Sequence, residues 1–82
     1  MVQVHLNGQW LAPDEAHISV MDRGFLFGDG VYEVIPVYSR RPFRLAQHLE
    51  RLAHSLAAVR IANPHDATAW EALVRRIVAE AS

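Results

Sequence analysis

Apolar and polar residues alternate at the start of the chain, and apolar residues recur with helical spacing in its second half. Val2, Val4 and Leu6 alternate with polar neighbours, which is typical of a strand with one buried face. The dipeptide Asn7-Gly8 follows, and it favours the two positive φ angles of a type I′ turn. The pattern therefore predicts a β-hairpin that returns through Trp10.

The middle of the chain predicts a compact turn followed by a strand. Three of the four glycines lie within residues 22–30, around Phe25 and Phe27, so we expect a compact turn or a single helical turn anchored by buried aromatic side chains. Residues Val31 to Tyr38 are rich in β-branched and aromatic side chains, which favours a strand. Pro36 lies inside it and has no N–H, which predicts a sheet edge or a bulge at that position.

Two amphipathic helices are predicted in the second half. Five apolar residues fall within about 40° of one line on a helical wheel, and they are Leu45, Leu49, Leu52, Leu56 and Val59. Asp66 is a candidate N-cap for the second helix, whose apolar face comprises Trp70, Leu73, Val74, Ile77, Val78 and Ala81. The predicted fold class is α+β, a small antiparallel sheet of the hairpin and further strands with two C-terminal amphipathic helices.

Composition limits the possible classes of function. A chain of 82 residues with 51% hydrophobic residues suffices for one small domain that buries about 60% of its unfolded surface. The net charge of -1, with no basic run longer than a pair, argues against a nucleic-acid partner. No apolar stretch approaches the roughly 18 residues of a membrane span, and no export signal or cysteine is present. We expect a cytoplasmic protein without a membrane partner.

One dense run of residues resembles a known family. The segment 22–34 reads DRGFLFGDGVYEV, and residues 48–52 read HLERL. This arrangement resembles the fold-type IV (class IV) pyridoxal-phosphate-dependent aminotransferases, and within them the D-amino acid transaminases. The resemblance is dense across residues 6–55 and continues through the last helix. It implies that residues 1–82 form the single N-terminal small domain of such an enzyme, with the cofactor-binding large domain absent from this chain.

The resemblance also implies roles for individual residues. Strand periodicity places Tyr32 and Val34 on one face of the predicted strand and Glu33 on the other. In the family, residues matching Tyr32 and Val34 face cofactor and substrate, and the arginine matching Arg51 binds the cofactor phosphate. Without the motif, the first two are ordinary core residues and Arg51 is a solvated or salt-bridged side chain. Glu33 and Arg23 are expected to be structural, because a carboxylate among aliphatic neighbours needs a cation such as Arg23 or Arg51.

The chain contains no lysine, because all eight of its cationic residues are arginines. The chemistry of pyridoxal phosphate needs an amine that can lose its proton, attack the cofactor aldehyde and later move the Cα proton. Arginine stays protonated and cannot do this. We therefore assign no catalytic residue, and the isolated histidines and absence of cysteine give no metal site. The isolated chain is expected to be inactive and not to bind the cofactor.

The leading hypothesis is the small domain of an aminotransferase that exchanges an amino group between an amino acid, with D-amino acids favoured, and a 2-oxo acid. Its expected partners are the missing large domain, the two substrates and a second copy of the parent enzyme in a homodimer. A stand-alone interaction or pyridoxal-phosphate-binding module is the alternative from another class. Branched-chain aminotransferases and aminodeoxychorismate lyases are alternative subgroups of the same family.

Overall fold

The computed structural model describes residues 3–81, and it contains short strands followed by two longer helices. In chain order the elements are β1 (Val4–Leu6), β2 (Gln9–Leu11), a 3₁₀ turn (Pro13–Glu15), α1 (Arg23–Phe27), β3 (Val37–Tyr38), β4 (Arg41–Pro42), α2 (Leu45–Ala58) and α3 (Ala67–Glu80). The strands form two separate antiparallel pairs, β1 with β2 and β3 with β4. The predicted α+β class is confirmed.

The first strand pair is the hairpin predicted around Asn7-Gly8. These two residues have φ angles of 50° and 84°, as a type I′ turn requires. The Arg76 guanidinium of α3 lies 4.4 Å from the centre of the Trp10 ring in β2, so a cation–π contact joins the hairpin to α3. Val2, which belongs to the predicted alternation, lies outside the described residues.

The strand predicted from Val31 to Tyr38 forms only at its end, in β3. Residues 31–36 have no strand partner within residues 3–81, and a strand without a partner leaves its backbone groups unpaired. Pro36 contributes no N–H, although its carbonyl accepts a hydrogen bond from the Phe43 N–H at 2.8 Å. The predicted length was therefore wrong, because periodicity cannot supply the neighbouring strand.

The turn between β3 and β4 is conformationally strained. Tyr38 pairs with Arg41, so Ser39 and Arg40 form a two-residue loop, and their φ angles are 49° and 62°. Such loops favour asparagine and glycine, because the left-handed region costs other residues about 1–2 kcal/mol. The chain accepts this cost at two successive positions.

Replacing Arg40 with glycine is expected to raise the free energy of unfolding by about 1 kcal/mol, because glycine adopts a positive φ without steric cost. Urea unfolding followed by circular dichroism measures the change. Arg41→Gly is the matched control, since it removes the same charge from a strand position where glycine destabilises by about 0.5–1 kcal/mol. Equal effects of the two substitutions would contradict the backbone explanation.

The leucine stripe of α2 forms the core, as predicted. Leu45 and Leu56 are buried, with 8% and 7% of their surface exposed, and Leu49 and Leu52 are half-buried. Val59 was predicted as the last member of the stripe, but it is 48% exposed. That prediction was wrong because α2 ends one residue earlier, so Val59 no longer follows the helical periodicity.

The second helix, α3, begins at the predicted N-cap and packs against α2. The Asp66 carboxylate accepts a hydrogen bond from the Ala69 N–H at 2.8 Å, which satisfies one of the free donors of the first turn. Four residues of its predicted apolar face are half-buried, namely Trp70, Leu73, Val74 and Val78. Ile77 and Ala81 are exposed. Within the described residues, no helix is long and apolar enough to cross a membrane.

Residues 22–30 contain the predicted helical turn, but its aromatic side chains are exposed. Asp22 caps α1 by accepting a hydrogen bond from the Gly24 N–H at 2.8 Å, and Gly28 ends the helix with a φ of 72°. Phe25 and Phe27 are 67% and 66% exposed, so the prediction of aromatic burial was wrong. A chain this short has an interior too small to bury every apolar side chain that it carries. These two rings therefore form an exposed apolar patch.

Candidate functional site

Two polar side chains, His48 and Arg51, converge on the Glu33 carboxylate, and we call these three residues the Glu33 cluster. The Nε of Arg51 donates to Oε2 of Glu33 at 2.7 Å, and its Nη2 donates to Oε1 at 2.8 Å. The Nδ1 of His48 lies 2.6 Å from the same Oε1. The Glu33 side chain is 9% exposed and that of Arg51 is 65% exposed. The cluster thus has an enclosed acid at its base and a guanidinium at the surface.

Helix α2 supplies both hydrogen-bond donors to Glu33 because of its spacing. His48 and Arg51 are three residues apart, and residues at that spacing are neighbours on a helix surface. They project from the shoulder of the helix, to one side of the leucine stripe. The buried Leu45 and Leu56 fix the rotation of α2, so core packing decides that this shoulder meets Glu33.

Residues 31–35 direct alternate side chains to opposite sides. Tyr32 and Val34 are 84% and 70% exposed, whereas Val31, Glu33 and Ile35 are half-buried. The predicted period of two is therefore present, although the segment has no ladder of backbone hydrogen bonds. Glu33 is turned toward α2, and Tyr32 and Val34 are left free to contact a ligand or another domain.

The proton positions within the cluster follow from the chemistry of its partners. A carboxylate only accepts hydrogen bonds, so the 2.6 Å contact places a proton on Nδ1 of His48. The 3.4 Å approach of Arg51 Nη2 to that nitrogen then joins two donors and is not a hydrogen bond. Oε1 of Glu33 accordingly accepts from both α2 side chains, and Oε2 accepts from Arg51 alone.

The cluster keeps its acid ionised. The hydrogen bonds from Arg51, and secondarily from His48, lower the pKa of the Glu33 carboxyl from 4.5 to about 2. The same hydrogen bond to Glu33 raises the pKa of Arg51. Both partners therefore carry full charge near neutral pH, and the ion pair is stable over the whole physiological range.

Acid is expected to remove the stabilisation that comes from Glu33 between about pH 4.5 and about pH 2. The folded state lowers the pKa of this carboxyl from 4.5 to about 2, so the contribution is complete above the higher value and is lost as pH falls through the lower one. Urea unfolding at a series of pH values measures the loss.

In Glu33→Gln, this part of the acid destabilisation is expected to be absent. Glu50→Gln is the matched control, because it removes an exposed carboxylate from α2 that has no ion pair within residues 3–81. An acid profile for Glu33→Gln that follows that of the parent chain would exclude Glu33 as the group responsible.

Arg23, the other candidate partner of Glu33, pairs with Asp29 instead. Its Nε donates to Oδ2 of Asp29 at 2.7 Å, and the two side chains are 72% and 44% exposed. Asp29 lies in the same compact turn as Arg23, so the local pair forms without the distant segment. An ion pair this exposed contributes at most about 1 kcal/mol to stability, and the Arg23 guanidinium also lies 4.9 Å from the centre of the Phe27 ring.

A cavity of about 450 Å³ lies away from the cluster, between α2 and the start of α3. Its walls are mostly apolar and include Leu49, Ala53 and Trp70, and the Nε1 of Trp70 donates to Oδ1 of Asn63 at 2.7 Å. None of the predicted site residues lines it. We therefore take the Glu33 cluster as the candidate site, since it combines enclosed charge, short hydrogen bonds and a perturbed pKa.

His48 is the member of the cluster to which sequence reasoning assigned no role. Its position three residues before Arg51, on the same shoulder of α2, was the available signal. Arg51 was a predicted candidate partner of Glu33, and the structure brings these two together. The roles predicted for Tyr32 and Val34 concern ligands, and their exposure leaves those roles open.

The chain is similar to known proteins over most of its length. The family model described as amino-transferase class IV matches residues 30–82, which include the whole Glu33 cluster. The D-alanine aminotransferase of Staphylococcus aureus (strain N315) is 46% identical over 55 residues, which are 67% of this chain and 20% of that protein. The D-alanine aminotransferase of Listeria monocytogenes serotype 4b (strain F2365) is 34% identical over 79 residues, 96% of this chain and 27% of that protein. The chain thus spans roughly a quarter of the length of the curated relatives it matches.

Proposed function

This chain belongs to the class IV aminotransferase family, and we propose that it forms the N-terminal small domain of a larger pyridoxal-phosphate-dependent enzyme. That enzyme exchanges an amino group between an amino acid and a 2-oxo acid, and it favours D-amino acids. The similarity to D-alanine aminotransferases supports this substrate class. The observation that carries the proposal is Arg51, which Glu33 holds at the surface of the chain. Tyr32 and Val34, the sequence neighbours of Glu33, are exposed as well.

Arg51 has the chemistry and the free donors to bind the cofactor phosphate. A guanidinium has five N–H groups, and only one on Nε and one on Nη2 donate to Glu33. Its Nη1 makes no hydrogen bond to any described residue, and the side chain is 65% exposed. A planar fork that is always charged suits the geometry of a phosphate. Arg51 therefore fits the phosphate end of the cofactor.

Tyr32 and Val34 are proposed to form the wall that faces the substrate and the cofactor ring. Both are among the most exposed large side chains of the chain, at 84% and 70%, so a ligand can reach them. The Tyr32 hydroxyl can donate a hydrogen bond to a substrate carboxylate. Val34 is apolar and branched, and it limits the space beside that hydroxyl. Together they orient the substrate against the cofactor.

Because this chain contains no lysine, we propose that it binds the cofactor and substrate while the rest of the enzyme supplies the reactive amine. Pyridoxal phosphate, when bound, withdraws electrons and so allows the Cα proton of the amino acid to leave. Arg51 fixes the phosphate, and Tyr32 with Val34 orients the substrate. The amine that moves the proton is proposed to come from outside residues 1–82, because the chain has no side-chain primary amine and arginine cannot release its proton. The large domain and a second subunit of a homodimer are proposed to complete the cytoplasmic enzyme.

The test uses the longer enzyme that contains this chain. Amino transfer to 2-oxoglutarate is measured with D-alanine and with L-alanine as donors, in the presence and absence of pyridoxal phosphate. Transfer that depends on the cofactor and is faster with D-alanine is expected. A stop codon directly after codon 82 in the native gene would contradict the proposal, and so would a folded, cofactor-bound enzyme that transfers no amino group.

A further inference from the structure

We propose that Glu33 and His48 are positioning residues for the site. Their hydrogen bonds hold the Arg51 guanidinium in the orientation that receives the cofactor phosphate. The same carboxylate fixes the segment that presents Tyr32 and Val34. This inference rests on the proposed role of Arg51, and it adds that one acid couples the phosphate contact to the substrate wall.

The orientation of Arg51 depends on its two hydrogen bonds to Glu33. Its side chain is 65% exposed, and an exposed arginine has many rotamers of similar energy. The contacts from Nε at 2.7 Å and from Nη2 at 2.8 Å fix both the position and the plane of the guanidinium. The edge that carries Nη1 is thereby directed away from Glu33 and is free to meet an anion.

The Glu33 carboxylate is in turn held by His48. Oε1 accepts from Nδ1 of His48 at 2.6 Å and from Nη2 of Arg51 at 2.8 Å. The side chains of His48 and Glu33 are only 15% and 9% exposed, so little water competes for the bond between them and that bond is strong. Loss of the His48 donor would free Oε1 to rotate, and Arg51 would lose its fixed plane.

Glu33 also anchors a segment whose one other hydrogen bond within residues 3–81 lies at its end, from the Phe43 N–H to the Pro36 carbonyl. Residues 31–36 lack a strand partner within residues 3–81, and Val31 and Ile35 are apolar contacts without preferred angles. The hydrogen bonds of Glu33 to α2 therefore set the rotation of this segment. Tyr32 and Val34 are its immediate neighbours, and their outward direction depends on the same bonds. Substitutions in the cluster are therefore expected to weaken the binding of both the cofactor phosphate and the substrate.

Two substitutions at position 48 separate the hydrogen bond from the bulk of the ring. The amide nitrogen of asparagine can occupy the place of histidine Nδ1, whereas that of glutamine extends to the place of Nε2. His48→Asn therefore keeps the donor to Oε1 of Glu33, and His48→Gln removes it. Glu33→Gln replaces one acceptor oxygen with an amide nitrogen that cannot accept from Arg51.

The experiment measures two quantities in the longer enzyme that contains this chain. Titration of the apoenzyme with pyridoxal phosphate, followed by absorbance, gives the dissociation constant, and steady-state kinetics give KM for the donor amino acid. Glu33→Gln and His48→Gln are each expected to weaken cofactor binding about tenfold, because a buried donor or acceptor loses its partner, and to raise KM as well. His48→Asn is expected to stay within about twofold of the parent.

The matched controls are Glu50→Gln and His54→Gln, which make the same chemical changes at exposed positions of α2, and both should leave the two constants unchanged. Arg51→Gln is the reference for the proposed function. If Arg51→Gln binds the cofactor as the parent does, the phosphate role of Arg51 fails and the positioning role fails with it. If Arg51→Gln weakens cofactor binding but Glu33→Gln and His48→Gln do not, only the positioning role is overturned.

Two further readouts keep the inference testable if Glu33→Gln does not fold. Equal cofactor affinity of folded His48→Asn and His48→Gln would overturn it, because these variants differ in where the donor lies. Nitrogen-15 spectra of the His48 ring in the apoenzyme are expected to show a proton on Nδ1, as the 2.6 Å contact requires. An Nδ1 without a proton would overturn the proposed arrangement regardless of enzyme activity.

Discussion

Leu56→Ala is expected to lower the free energy of unfolding by about 3 kcal/mol, because truncation of a buried leucine removes its packing contacts and leaves a cavity. Leu56 is 7% exposed, and Leu45 at 8% is the other buried apolar residue within residues 3–81. A domain of this size has only about 3–5 kcal/mol of stability from its core, so much of the population should unfold.

Urea unfolding of the chain, followed by circular dichroism, measures this loss. Val59→Ala is the matched control, because Val59 is 48% exposed and lies directly after α2. Its expected change is about 0.5 kcal/mol or less. Similar losses for the two variants would mean that the core does not lie along the α2 stripe.

Arg51→Gln is expected to weaken pyridoxal phosphate binding by the longer enzyme roughly 10- to 100-fold, since hydrogen bonds between charged groups are worth about 1.5–3 kcal/mol. Glutamine is neutral and cannot present two parallel donors to a phosphate. The substitution also leaves Glu33, whose side chain is 9% exposed, without its principal partner. Absorbance titration of the apoenzyme measures the affinity.

Arg60→Gln is the control for the loss of charge. Arg60 is exposed, lies two residues after the end of α2, and forms no ion pair with a described residue. Its removal should leave the cofactor affinity within about twofold of that of the parent enzyme, because an exposed charge outside the site is screened by salt. Equal weakening by both substitutions would assign the effect to net charge and would contradict a phosphate contact at Arg51.

Local patterns were sufficient to predict the hairpin and both long helices. The Asn7-Gly8 turn, the α2 stripe and the Asp66 cap depend on interactions between residues close in sequence, and the structure has all three. The strand predicted across residues 31–38 depends on a distant neighbour, and within the described residues that neighbour is missing for residues 31–36. The burial of Phe25 and Phe27 likewise depends on what packs over them.

The site could be predicted only in part for the same reason. The need of Glu33 for a cation was evident from its aliphatic neighbours, and Arg51 was one of two candidates. The sequence could not decide between Arg51 and Arg23. The outcome depends on the rotation of α2 and on Asp29, which accepts a hydrogen bond from Arg23. The hydrogen bond from His48 to Glu33 depends on that rotation too.

We propose that this chain contributes the phosphate contact and a substrate wall, while the reactive amine lies outside it. Borohydride reduction of the longer enzyme with bound pyridoxal phosphate makes the bond between cofactor and amine permanent, and peptide mass mapping then locates it. The cofactor mass is expected on a lysine outside residues 1–82, and the purified 82-residue chain is expected to transfer no amino groups. Amino transfer by the purified chain, verified by intact mass, with the cofactor bound to a residue within 1–82, would contradict the claim.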